Sequence, residues 1–213
     1  MLLELSEILA CPVCGPPQVM VAVVHEAVGH RVTSGFMGCP ACAARFPIEE
    51  GTVHLVPQGV AEVPSAPLAL SGSGSDETAV LVGAVLDLAR GHGHVLLGPE
   101  LAAIADAVAA LAEGWEIVSL MNSRPDEAPE SANVSRVVVG EVEHLPVLRG
   151  RFGAAALGGD PEADRIRAIA AALAPLGRLA IVEPGPGAVA AMRDAEFEVI
   201  AADDRVAVAS RRP

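Results

Sequence analysis

Four cysteines stand in two pairs of equal spacing, Cys11-Pro12-Val13-Cys14 and Cys39-Pro40-Ala41-Cys42, with twenty-four residues between the pairs. A Cys-x-x-Cys turn presents two thiolates at one vertex. Two such turns at the ends of a hairpin complete a tetrahedral set of four sulfurs, the donor set and geometry that suit Zn²⁺. Iron in a rubredoxin-like site shares that geometry. Disulfides need an oxidising compartment, and a redox Cys-x-x-Cys accounts for one pair, not two. The expectation is therefore Zn²⁺ on Cys11, Cys14, Cys39 and Cys42. Four thiolates leave no open position for water, which makes the metal structural, not catalytic. His25, His30 and His54 could serve as replacement ligands, but with four Cys present they read as surface or hairpin residues.

The rest of the chain is poor in catalytic groups. All fourteen basic residues are Arg, and Tyr is absent. Without Lys there is no Walker-type phosphate loop, no Schiff-base chemistry and no lysine base. There is no Gly-x-Ser-x-Gly elbow and no His-Glu-x-x-His helix. His144 beside Glu141 and Glu143 imitates an acid/base pair but sits at Leu145-Pro146, as a loop residue would. Gly185-Pro186-Gly187-Ala188-Val189-Ala190, with Asp203 downstream, matches the letters of a dinucleotide fingerprint. Only ten residues follow Asp203, so a plain strand-to-helix turn is the expected reading. No catalytic residue is assigned.

Charge narrows the partners. The net charge is −13, with −3 over residues 1–57 (five acids, two Arg) and −10 over residues 58–213 (twenty-two acids, twelve Arg). Neither half offers the clustered cations that release counterions from nucleic acid, so no nucleic-acid partner is expected. The acidic start Met1-Leu2-Leu3-Glu4-Leu5-Ser6-Glu7 is unlike an export signal, and apolar runs such as 168–176 fall short of a membrane span. A cytoplasmic protein without a membrane partner is expected.

A Pro-rich and then Gly/Ser-rich stretch, residues 58–76, reads as a linker between a cysteine domain (1–57) and a larger domain (77–213). In the first, Leu2, Leu5, Ile8 and Leu9 share one face of a short helix, and residues 19–28 and 31–37 form a hairpin turning at Gly29-His30. In the second, strand patterns at 94–97, 116–120, 136–139, 152–157, 178–182, 197–201 and 205–209 alternate with helical patterns at 77–90, 100–112, 161–173 and 187–195. That alternation predicts an α/β fold with a mainly parallel sheet covered on both faces. Ala202-Asp203-Asp204 is too short for a helical crossover, so the last two strands must pair antiparallel.

Ile8-Leu9-Ala10-Cys11-Pro12-Val13-Cys14, Cys39-Pro40-Ala41-Cys42 and Arg45-Phe46-Pro47-Ile48-Glu49-Glu50-Gly51 together resemble the small zinc-ribbon family whose best known members are activator subunits of methyltransferases. The resemblance implies a non-catalytic role: members hold a methyltransferase partner folded through an apolar face and strand pairing. The ribbon's apolar face should thus be covered, by the second domain or by another copy of the chain.

Glu141-Val142-Glu143-His144-Leu145-Pro146 before Arg151-Phe152-Gly153-Ala154, and Leu173-Ala174-Pro175-Leu176-Gly177-Arg178-Leu179, resemble stretches of class I S-adenosylmethionine-dependent methyltransferases. The resemblance implies a Rossmann-like, seven-stranded sheet with an antiparallel C-terminal hairpin. Its cofactor site does not follow. The first strand runs Val95-Leu96-Leu97-Gly98-Pro99-Glu100 into a helix with one Gly, where Glu100 would repel a ligand carboxylate. The second ends at Leu120-Met121-Asn122-Ser123 with no acid for a ribose, and Gly153 stands where the family commonly has Asp. Glu141 is the acid retained after the third strand. The expectation is a pseudo-methyltransferase joined to a zinc ribbon, acting as an interaction or scaffold module through a protein partner or self-association, without S-adenosylmethionine. The alternative is a divergent methyltransferase supported in cis by its own ribbon, with Glu141 on the cofactor. Trp115 begins a strand and packs, and Gly91-His92-Gly93 caps the helix before it.

Overall fold

The computed structural model describes residues 1–57, 75–124, 131–139 and 145–213. After a 3₁₀ helix at Leu3–Glu7 come four strands: β1 (Val21–Val28), β2 (Arg31–Gly38), β3 (Arg45–Glu49) and β4 (Thr52–Leu55). Next are α1 (Ser75–Leu86), β5 (Gly93–Leu97), a second 3₁₀ helix (Pro99–Ile104), α2 (Ala105–Ala110), β6 (Trp115–Met121) and β7 (Val134–Val139). The chain closes with β8 (Phe152–Gly158), α3 (Ala163–Ala172), β9 (Leu173–Val182), α4 (Ala188–Asp194), β10 (Phe197–Ala202) and β11 (Val206–Arg211).

All eleven strands form one sheet in the order β1-β2-β3-β4-β7-β6-β5-β8-β9-β11-β10. The last seven positions hold the seven strands expected of the second domain. β5 to β9 run parallel, and β10 and β11 form the antiparallel hairpin. The sheet has eleven strands instead of seven because the cysteine segment adds four. β3 and β4 escape a periodicity reading: they are five and four residues long, and Pro47 interrupts the first. Their hairpin is nevertheless well specified. Glu50 and Gly51 both have positive φ, 50° and 78°, which matches a two-residue type I′ connection.

β4 joins the two parts. It pairs antiparallel with β3 on one side and parallel with β7 on the other, in register Val53↔Val137, His54↔Val138, Leu55↔Val139. All four β4 residues are buried. The junction extends beyond β4. Arg31 donates to the carbonyls of Ala132 and Val134 at 2.7 and 2.9 Å, and the Leu2 N–H donates to Ser135 Oγ at 3.0 Å. Ala10 N–H donates to the Pro146 carbonyl at 2.9 Å and Leu148 N–H to that of Ile8 at 2.8 Å.

Apolar packing follows the same path. Leu5, Ile8, Leu9, Phe46, Val53 and Leu55 share one buried cluster with Leu96, Val118, Leu120, Val137 and Phe152. The apolar face of the cysteine segment is thus covered by the chain's own sheet. The far side of that sheet packs under α1 and α2 through Val82, Leu101, Ile104 and Val108.

Because one core crosses the junction, Leu55→Ala should cost about 2–5 kcal/mol and leave a single unfolding transition by calorimetry. Two separate transitions would contradict this packing.

Candidate metal centre and switch-point cleft

The two cysteine turns repeat one local design. In each, a Pro follows the first Cys, and the residue after the second Cys is left-handed: Gly15 at φ 70° and Ala43 at φ 58°. Their N–H groups donate to the carbonyls of Cys11 and Cys39 at 2.8 and 3.0 Å, closing each turn. The turns meet, with Cys11 Sγ 3.7 Å from Cys42 Sγ and Cys14 Sγ 3.9 Å from Cys39 Sγ. All four sulfurs lie within 4.8 Å of one another. A tetrahedron of sulfurs about 2.3 Å from zinc has edges of about 3.8 Å, so the shortest separations fit that ion without rearrangement. Cys11 and Cys39 are buried, while Cys14 and Cys42 are exposed.

Burial disfavours the Cys39 thiolate, yet the backbone N–H groups of Cys42 and Ala41, together with the adjacent thiols, outweigh it and bring its pKa down to about 7. Cys14 is pushed up to about 12, chiefly by its hydrogen bond with Cys42 and then by desolvation. Such a set ionises fully only against a cation. His25 packs edge-on against Phe36 at 5.9 Å, as a hairpin residue would.

In sheets of this kind, ligands bind beyond the carboxyl ends of the strands where the order reverses. Here that point lies between β5 and β8. The chain leaves β5 through Gly98, whose N–H donates to the Ala156 carbonyl at 2.9 Å, and enters the Pro99–Ile104 helix at once. Glu100 accepts two hydrogen bonds from Arg165, at 2.5 and 3.1 Å. One partner follows β5 and the other lies in the first turn of α3, after β8. This bidentate pair therefore spans the reversal. A Cβ on Gly98 would lie 2.5 Å from a Glu100 oxygen, 2.8 Å from Leu157 Cδ2 and 2.9 Å from an Arg165 nitrogen. The close approach that Gly98 permits is thus made to this ion pair and Leu157. Glu100 is committed to Arg165. That pairing, across sixty-five positions, has no signal in the sequence.

The remaining candidates fall into structural roles. Gly185 and Gly187 make room for Asp160, whose Cγ would sit 2.4 Å from a Cβ at 185. A carboxylate therefore fills the concavity that a fingerprint turn would offer a phosphate. Asp203 accepts the N–H groups of Arg205 and Val206 at 2.9 and 2.8 Å, forming the β10–β11 turn, and those bonds hold its carboxyl below the ordinary range.

Trp115 covers three glycines. Its ring lies 3.3, 3.4 and 2.7 Å from the Cβ positions of Gly91, Gly93 and Gly153, and its Nε1 donates to the Arg90 carbonyl at 3.2 Å. An Asp at 153 would clash with that ring, which accounts for the glycine. Gly91 does not cap α1, contrary to expectation. The helix ends at Leu86, where left-handed Asp87 (φ 60°) lets Leu88 N–H reach the Gly83 carbonyl at 2.9 Å. Glu141, Glu143 and His144 lie outside the described residues.

Comparison with known proteins agrees with both halves of this geometry. Residues 3–51 match the Trm112p-like protein family. This Trm112p-like segment contains both cysteine turns and ends at the β3–β4 hairpin. No curated protein matched the sequence. Among solved structures the chain is similar to precorrin-6y C5,15-methyltransferase from Geobacter metallireducens GS-15, at 15% identity over 68% of this chain and 92% of that one, with a TM-score of 0.52. It is also similar to the [4+2]-cyclase SpnF, at 20% identity over 65% of this chain and 62% of that one, with a TM-score of 0.50. At these identities the shared property is the fold.

Two outcomes follow from these sites. The purified protein should retain about one zinc per chain by elemental analysis, with Cys11→Ser and Cys39→Ser lowering both metal content and Tm. Gly98→Ala should destabilise by about 1–3 kcal/mol in denaturant titrations, since its neighbours are a paired ion and a buried leucine.

Proposed function

We propose that this protein is a non-catalytic, zinc-binding interaction module. The Trm112p-like segment, with structural Zn²⁺ on Cys11, Cys14, Cys39 and Cys42, completes a methyltransferase-like sheet that does not use S-adenosylmethionine. One observation carries this reading: the Glu100–Arg165 pair and Leu157 pack around Gly98 at the strand-order reversal. Opening that place to a ligand means separating a two-bond charged pair whose side chains are only 31% and 18% exposed. The β6 end adds support, because Met121-Asn122-Ser123 supplies no carboxylate for ribose hydroxyls.

A module of this kind works through what it holds, either a protein partner or a second copy, in the cytoplasm. The competing reading, a methyltransferase supported in cis by its ribbon, draws on the intact order and direction of the seven strands β5–β11. Isothermal titration of the zinc-loaded protein with S-adenosylmethionine separates the two. No heat of binding is expected up to millimolar ligand; a Kd on the order of micromolar would establish the competing reading.

A further inference from the structure

Two adjoining cavities lie away from the switch point, near the amino-terminal ends of β8 and β9. One, of about 800 Å³, runs past Arg149, Pro175, Ala195 and Arg212. The other, of about 450 Å³, continues over α3 to Cys14, Gly15 and Pro16. Arg149, Arg167 and Ala171 line both, so the two form a single groove leading from the first cysteine turn to the end of β11.

Four of the chain's fourteen Arg border this groove: Arg149, Arg167, Arg211 and Arg212. Facing them are Asp164, Asp194 and Glu196. Arg167 is bound to Asp164 and Arg211 to the Leu173 carbonyl. Arg149 and Arg212 are exposed and have no carboxylate partner among the described residues. In a chain of net charge −13, this concentration of cations is exceptional.

At the turn next to Pro175, Leu176 is 66% exposed and left-handed, with φ 64°. An aliphatic side chain disfavours that conformation, and one so exposed recovers little through packing.

We propose that this groove docks an extended acidic segment of a partner protein, with Leu176 as an apolar anchor at its edge. The occupant's shape follows from the length and openness of the groove, its charge from the arginines, and its apolar content from the Ala170, Ala171 and Ala195 floor. A nucleic acid fits less well, because no aromatic ring lines either cavity for a base to stack on. The inference rests on the reading of the protein as an interaction module and gives it a surface and a class of partner.

The test is fluorescence anisotropy on the zinc-loaded full chain with three probes: a labelled peptide of alternating Glu and Leu, its Lys-for-Glu counterpart, and an oligouridine. The Glu peptide alone should bind, more weakly as salt rises. Arg149→Gln combined with Arg212→Gln should weaken it on the order of tenfold. Leu176→Gly should raise Tm while weakening the same peptide, a combination that a purely structural residue would not produce. Equal binding of the Lys peptide, binding of oligouridine alone, or affinity unchanged in either variant would overturn the proposal. Such a failure would leave the S-adenosylmethionine titration, and the reading it tests, untouched.

Discussion

The parallel pairing of β4 with β7 is the constraint on which the rest of the structure depends. A seven-stranded sheet ordered as β5–β11 would otherwise end at β7, with an unpaired row of backbone donors and acceptors on a strand made almost wholly of valine. β4 satisfies that edge and is itself satisfied on its other side by β3. A ribbon of this size has little core of its own, and the sheet edge needs a cover. Each supplies what the other lacks.

From that pairing the role of the cysteines follows. β3 and β4 are short, and the chain before them is held mainly by irregular structure and a 3₁₀ helix. Joining the two cysteine turns fixes both ends of the β1–β2 hairpin and so positions β3 and β4 against β7. Four sulfurs at tetrahedral separations allow a metal to do this without an open coordination position. The charged pair at the opposite side of β5 has a comparable structural effect. Glu100 and Arg165 hold the β5 and β8 loops together where a ligand would otherwise separate them.

Much of this was legible in the sequence because its signals are local. The Cys-x-x-Cys spacing, the alternation of strand and helix patterns, and the three-residue gap at 202–204 each involve neighbouring positions. The junction was not legible. β4 has four residues, all buried, and therefore no period-two alternation to announce it. Arg165 looks like any exposed helix residue until the fold brings it to Glu100. Gly153 appeared to be a loss relative to a family pattern; it is instead the space that Trp115 occupies. Absence of Lys restricts chemistry but says nothing about where the arginines gather, which only the fold determines.

Hydrogen exchange on the zinc-loaded and chelator-treated protein tests the central claim most directly. If the metal-organised ribbon is the cover of the sheet edge, removing zinc should release the β4 amides and, together with them, those of Val137, Val138 and Val139, while β5 and β8 stay protected. Continued protection of β7 after β4 has exchanged would contradict the account.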